Sequence, residues 1–217
     1  MKITWYGHSC FLLDDGRTRL LTDPYDPETI VTPLHVKADI VTLSHSHHDH
    51  SYLAAIDGEG FLVARESAQF EELSLTAIPS FHDGEGGAKR GLNTIFRIEM
   101  GGLVIAHLGD LGHPLTAGEL EALGRVDVLL LPVGGVYTID AQEARQVAEA
   151  VGAPCVIPMH YYIPTLKFAL GDVEDFIDCM EENWEVGFLP GNTAELTPET
   201  LPGKSVLIFD YLDAMPH

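Results

Sequence analysis

The stretch Leu43-Ser44-His45-Ser46-His47-His48-Asp49-His50-Ser51 constrains this chain more than any other, because it follows directly on the short apolar run Ala38-Asp39-Ile40-Val41-Thr42-Leu43. A short β-branched run of this kind reads as a buried strand. The strand therefore delivers a cluster of polar donors to its own C-terminal end. Four of the eleven histidines and one aspartate lie in this one segment. If the backbone stays extended through His45 and His47, side chains two apart point the same way and both imidazoles can meet one cation. Asp49 and His50 lie further on, where the chain turns into Ser51-Tyr52-Leu53-Ala54-Ala55-Ile56, and a second, adjacent cation position becomes possible. The plain alternative is a set of solvated loop histidines with Asp49 capping a short helix. Neutral imidazoles and a carboxylate at a strand end are, however, the donors that suit Zn²⁺ or a similar divalent ion, with positions left open for water.

The spacing His-x-His-x-Asp-His resembles the signature of the metallo-β-lactamase superfamily, and later residues extend the resemblance. Leu73-Ser74-Leu75-Thr76-Ala77-Ile78 alternates like a half-buried strand and ends in Pro79-Ser80-Phe81-His82. His82 matches the third histidine of the superfamily's first metal site. Asn93 to Glu99 and Leu103 to Leu108 form a hairpin around Met100-Gly101-Gly102 that closes on Gly109-Asp110. Asp110 can bridge two cations, at a place where a true β-lactamase of this superfamily commonly presents a cysteine; capping a turn is its other reading. Cys155-Val156-Ile157-Pro158-Met159-His160-Tyr161-Tyr162 is again a strand delivering a histidine. Its Pro-Met-His-Tyr resembles the last metal motif of a branch that includes ascorbate-phosphate lactonase.

The resemblance implies a four-layer αββα sandwich, with two mixed sheets face to face, helices outside and a cleft along one edge. It also implies two divalent metal ions, zinc first, with manganese or iron as alternatives. One ion would take His45, His47 and His82, the other Asp49, His50 and His160, with Asp110 between them.

Elsewhere the chain offers single candidates. His8, in the turn Gly7-His8-Ser9 between the strands Ile3–Tyr6 and Cys10–Leu13, either contacts substrate or is a hairpin histidine bonded to local backbone. Asp23 either accepts the second N–H of a ligand histidine or forms a turn. The glycine-rich loop from Gly84 to Gly91 lacks the Gly-Lys-Ser/Thr ending of a phosphate-binding loop. It reads as a mobile flap, with Lys89 or Arg90 available to a substrate anion, or as a plain flexible turn. His107 reads as a core residue or as one that supports a ligand from behind, and His113 as a cleft residue. Val126 to Val133 and Ser205 to Phe209 read as strands; Ala141 to Val151, capped by Asp140, and Asp172 to Trp184 read as helices.

Composition narrows the partners. With 33 acidic against 12 basic residues the net charge is −21, and no basic stripe is present to hold a polyanion, which disfavours nucleic acid as a substrate class. No apolar stretch is long enough to cross a bilayer. The 217 residues are expected to form a single domain, 1–217. A strand pattern begins at once, with no secretory signal, and Cys10, Cys155 and Cys179 show no pairing pattern, so a cytoplasmic protein with free buried thiols is expected.

The expected function is a metal-dependent hydrolase of small molecules. A water bridging two cations has its pKa lowered to about 7 in the best zinc sites, and hydroxide attacks an ester, lactone, amide or small phosphoester. Asp49 would relay the proton, and His8 or Tyr162 would help hold the developing oxyanion. A phosphodiesterase acting on lipids or nucleotides, and a non-hydrolytic metal-binding or redox module, are the alternatives. The sequence leaves the oligomeric state open.

Overall fold

The computed structural model describes residues 1–211. Strands β1 (Lys2–Gly7), β2 (Cys10–Asp14) and β3 (Arg19–Thr22) form an antiparallel meander, which β4 (Ile40–Thr42) and β5 (Leu62–Ala64) extend in parallel. Strands β6 (Ala68–Gln69), β7 (Leu73–Phe81), β8 (Leu92–Met100) and β9 (Leu103–His107) then run antiparallel in a second sheet. Helix and strand alternate afterwards, through α1 (Ala117–Leu123), β10 (Val128–Pro132), α2 (Ala141–Val151), β11 (Cys155–Met159), α3 (Glu174–Met180) and β12 (Glu185–Phe188). Strand β13 (Thr193–Glu195) returns to pair with β1, and β14 (Ser205–Ile208) inserts between β11 and β12. The sheet orders are β13-β1-β2-β3-β4-β5 and β12-β14-β11-β10-β9-β8-β7-β6.

The sheets face each other. Phe11 of β2 meets His107 of β9 edge-on, with ring centroids 6.4 Å apart, and Ile3, Trp5, Phe11 and Leu13 share one buried cluster with Phe96, Ile105, Leu130 and Ile157. Each such side chain contributes about 1.5–3 kcal/mol by leaving water. All five residues of β10 are buried, as a central parallel strand covered on both faces requires. Helix α1 packs on β7, α2 on β10 and α3 on α2, so the α-helices lie on the side of the eight-stranded sheet. Over the six-stranded sheet, the crossovers that join parallel β3, β4 and β5 contain only one short 3₁₀ turn, Leu53–Ala55. Among the described residues no helix is long and apolar enough to cross a membrane.

Two helices differ from the sequence reading. Helix α1 was not anticipated, although Thr116-x-x-Glu119 carries a reciprocal capping box, with both side-chain-to-backbone bonds formed. Helix α3 covers only Glu174–Met180 of the expected 172–184, has no side-chain cap, and runs into Glu181 and Glu182, whose charge opposes the helix dipole at that end. Helix α2 matches its expected range, and the Asp140 side chain accepts from Glu143 N as a cap should.

Candidate metal centre

Strand direction decides where the donors meet. β1 and β4 run the same way in one sheet, and β7, β9 and β11 run the same way in the other. Their C-terminal ends open onto one edge of the sandwich, where they release His8, the loop from His45 to His50, His82, Asp110 and His160.

The imidazoles form two groups of three. Ligand atoms of His45, His47 and His82 lie within 4.8 Å of one another, and so do those of His8, His50 and His160. Asp110 joins the groups: its Oδ2 lies 3.1 Å from His82 Nε2, 3.2 Å from His50 Nε2, 3.2 Å from His160 Nε2 and 3.9 Å from His45 Nε2. Asp49 Oδ2 belongs to the second group, 3.2 Å from His8 Nε2 and 3.5 Å from His50 Nε2.

These atoms have the spacing a cation would impose. Two donors about 2.0–2.2 Å from a tetrahedral ion stand roughly 3.3–3.6 Å apart, close to the separations across the cluster. Within the cluster, His45 Nε2 and Asp110 Oδ1 are buried without a hydrogen-bond partner, a costly state that a metal ion relieves. His8 Nε2 and His50 Nε2 face each other at 3.0 Å, two nitrogens that serve equally well as a pair of donors to one ion. Imidazole with carboxylate is a donor set for zinc, iron or manganese, so the residues present fit a divalent ion.

Electrostatics sets the charge on each of these donors. Burial pushes the His45 imidazole down to about 3 and the His8 imidazole down to about 4, so both are neutral near pH 7. Burial also disfavours charge on His50, but Asp110 outweighs it and holds His50 well above the usual histidine value. Burial works to raise the Asp110 carboxyl, and His160 and His50 overcome it, leaving Asp110 well below the usual carboxylate range.

A second layer of hydrogen bonds aims the donors. His50 Nδ1 donates to Asp23 Oδ2 at 3.0 Å, and Asp23 also accepts from Ser44 N at 2.8 Å and Ser44 Oγ at 2.5 Å. Ser44 Oγ in turn accepts from His45 Nδ1 at 2.9 Å. Asp23 thus orients one imidazole of each group, the first of the two roles its position in the sequence allowed. Asn93 fixes the backbone that carries Asp110, accepting from Asp110 N and donating to Ser80 Oγ and Leu108 O. Sequence reasoning missed Asn93, because a lone amide inside an alternating strand carries no motif.

Close backbone approach needs glycine at two points. A Cβ on Gly112 would lie 2.3 Å from Asp83 N, and one on Gly134 would lie 2.2 Å from His160 O. Each glycine lets a neighbouring loop close on a ligand-bearing one. His8, Asp23 and His160 themselves adopt left-handed φ of 53°, 38° and 52°, conformations that cost side chains energy. Trp5 Nε1 and His160 N both donate to the His8 carbonyl and hold that turn in place.

Three residues sit elsewhere than the sequence reading put them. His8 is fully buried and turned onto His50 and Asp49, so it lies among the donors instead of facing substrate. Tyr162 does not line the cleft. The left-handed turn at His160 breaks the strand alternation, Tyr161 packs against Trp5 with centroids 5.2 Å apart, and Tyr162 is left exposed. His113 lies behind β7, accepting from Phe81 N and donating to Pro114 O, beside a separate hollow that contains none of the donors. His107 is a core residue, donating to Ser9 O. His48 is exposed and pairs with Asp26.

The cleft over the donors encloses about 460 Å³ and is walled by Arg90, Tyr137 and Phe168. Neither aromatic residue was anticipated from the sequence. The glycine-rich loop beside it is tied down: Asp83 accepts from the amides of Glu85, Gly87, Lys89 and Arg90 at 2.7–2.9 Å. A loop pinned at four amides is a braced arch, unlike either the mobile flap or the plain flexible turn that its glycines suggest.

Residues 2–160 match the family described as Beta-lactamase superfamily domain. The chain belongs to the metallo-β-lactamase superfamily. It is 32% identical over 226 residues to a UPF0173 metal-dependent hydrolase of Methanoculleus marisnigri, across 92% of this chain and 98% of that one. A candidate Zn-dependent hydrolase of the superfamily from Thermotoga maritima superposes with a TM-score of 0.78 at 37% identity, covering 96% of this chain and 98% of that one. A metallo hydrolase from Ignicoccus hospitalis shares the fold, with a TM-score of 0.64 at 23% identity over 83% of this chain and 90% of that one. The protein is a metal-dependent hydrolase of this superfamily, and its sandwich of two mixed sheets is the superfamily's fold.

Proposed function

We propose that the centre holds two divalent cations, zinc first, and hydrolyses an ester, lactone, amide or small phosphoester. The observation that carries this reading is Asp110 Oδ2, which stands between two groups of imidazoles at distances of 3.1–3.9 Å. His45, His47 and His82 would hold one ion. Asp49, His50 and His160 would hold the other, with His8 as a further nitrogen donor. When bound, such a pair supplies Lewis acidity that lowers the pKa of water towards about 7 and polarises the oxygen under attack.

The chain's own groups do the rest. Asp23 accepts from His50 Nδ1, so that a cation which displaces the Nε2 proton, favoured there by Asp110 in the metal-free chain, meets a lone pair aimed at the centre. Asp49 is the carboxylate of the cluster with an appreciable opening to solvent, its side chain 18% exposed against 2% for Asp110. It is held ionised because His50 and His8 overcome the cost of its burial. Its oxygen can accept a proton from the attacking water and return it to the leaving group. Tyr137 and Phe168 narrow the cleft and exclude bulk water from the reacting groups. Buried free thiols at Cys10, Cys155 and Cys179 support a reducing compartment such as the cytoplasm.

Elemental analysis of the purified protein, joined to a panel of a lactone, a thioester, a carboxylic ester and a phosphodiester, tests the proposal. Two ions per chain and chelator-sensitive cleavage of an acyl substrate are expected. Fewer than two ions in active protein would overturn the dinuclear reading, and faster cleavage of the phosphodiester would replace the acyl substrate class.

A further inference from the structure

We propose that Arg90, supported by Arg65, forms an oxyanion-reading subsite beside the metal centre, so that the substrate is an anionic ester, lactone or phosphoester with an apolar body. The inference rests on the hydrolytic reading above and names its substrate class. The first argument is charge. Of seven arginines, Arg17, Arg19, Arg97, Arg125 and Arg145 are paired with Glu72, Asp39, Glu99, Asp127 and Glu149. Arg65 and Arg90 pair with no carboxylate among the described residues. In a chain with 33 acidic residues, leaving two arginines unpaired beside one site calls for a reason.

Position supplies it. Both line a hollow of about 380 Å³ that His45 and His47 also line, and Arg90 reaches as well into the main cleft. Arg90 is also preorganised. Its amide donates to Asp83 Oδ2 at 2.7 Å, its Nη2 donates to Val136 O at 3.1 Å, and its guanidinium lies over the Tyr137 ring at 5.3 Å. A guanidinium has five donors in a planar fork, so one anchored N–H leaves the others to grip a carboxylate or phosphate. From Tyr137 the wall continues inward: Tyr137 meets Phe168 edge-on at 6.0 Å, and Phe168 meets the His8 ring at 5.6 Å. A substrate laid along this wall would place its anion at Arg90, its apolar body on the two rings and its scissile bond at the donors.

The test uses the metal-loaded full chain as wild type, Arg90→Met, Arg90→Lys and Arg65→Met, each checked for native circular dichroism. Two measurements are made. The first compares kcat/KM for the 4-nitrophenyl hemiester of glutarate with that for 4-nitrophenyl butyrate. The anionic-over-neutral preference is expected to fall about tenfold or more in Arg90→Met, with the loss in KM, the scale of one charge-assisted hydrogen bond. Arg90→Lys should recover part of it and Arg65→Met should show a smaller loss. The second is calorimetric titration with phenylacetate and with phenylphosphonate. A loss of affinity confined to one of them assigns the anion as carboxylate or as phosphate, and either supports the subsite. Binding of both ligands by Arg90→Met within about twofold of wild type, the range of substitutions that touch no bound group, would overturn it. Should the wild type cleave neither ester, the carboxylic-ester part of the hydrolytic reading fails by itself, while the titration still decides the subsite.

Discussion

The six-stranded sheet brings His45, His47, Asp49 and His50 to the centre from a single loop after β4, together with His8 and Asp23 from the ends of β1 and β3. The eight-stranded sheet brings His82, Asp110 and His160 one at a time, from the ends of β7, β9 and β11. The first contribution is set mainly by local chain geometry. The second depends on three strands holding their register, since a slip of one residue would turn each side chain to the other face. Asp110 belongs to the register-dependent half, yet it touches imidazoles from both sheets. The comparison teaches that the locally assembled half is completed only when the sandwich has closed.

That contrast can be broken at Asp110. Asp110→Ala should cost more activity than the roughly 100-fold upper figure for removing a group outside the ligand set, with metal content falling at the same time. Full metal content in this variant would show that the imidazoles hold metal without the carboxylate that stands between their two groups. A smaller effect is expected at Asp23, which reaches His50 directly and His45 through Ser44. Asp23→Asn should weaken metal binding about 10–100-fold, measured by competition with a chelator, and the loss should extend to both of the proposed ions. Loss of one ion alone would place His45 outside its influence.

Gly134→Ala probes the eight-stranded side. Its new Cβ must push the His160 carbonyl, 2.2 Å away, so denaturant unfolding should show a loss of about 1–3 kcal/mol with unchanged m. An unchanged midpoint would mean that this loop gives way freely. A single transition in the same experiment is expected if residues 1–217 are, as we propose, one domain.

The smallest effect concerns acid. The amide of Arg90 foremost, with those of Glu85, Lys89 and Gly87, holds the Asp83 carboxyl well below its usual value. Its folded pKa is depressed, so its contribution is complete above the unfolded value of about 3.9 and is lost as pH falls through the folded one. Limited proteolysis between Gly84 and Gly91 should therefore stay slow down to about pH 4 and be fast in Asp83→Ala at neutral pH. Equal rates in variant and wild type would contradict the pinned arch.

The sequence made the strands and the histidine loop legible because both are short-range patterns: alternation, β-branching and a dense motif after Thr42. It could not show Asn93, whose partner Asp110 lies 17 residues away, or the aromatic wall, which Tyr137 and Phe168 form from loops that only the closed sandwich brings together. The misplacement of Tyr162 has a local cause of the same kind. Period-two reasoning carries through a strand end only while φ stays negative, and His160 departs from that. Asp23 lay between the two cases, visible as a candidate after β3 but undecided until Ser44 and His50 stood beside it.

The left-handed turns at His8, Asp23 and His160 matter to anyone who would improve this protein in the laboratory. Each holds a side chain where glycine would rest more easily, at a cost of order 1–3 kcal/mol. Directed evolution for heat tolerance alone would favour glycine or asparagine at His8 and His160 and would arrive at a sturdier but inert sandwich, whereas Asp23 is kept by the three hydrogen bonds it accepts. A useful library must be sorted for turnover in the same round.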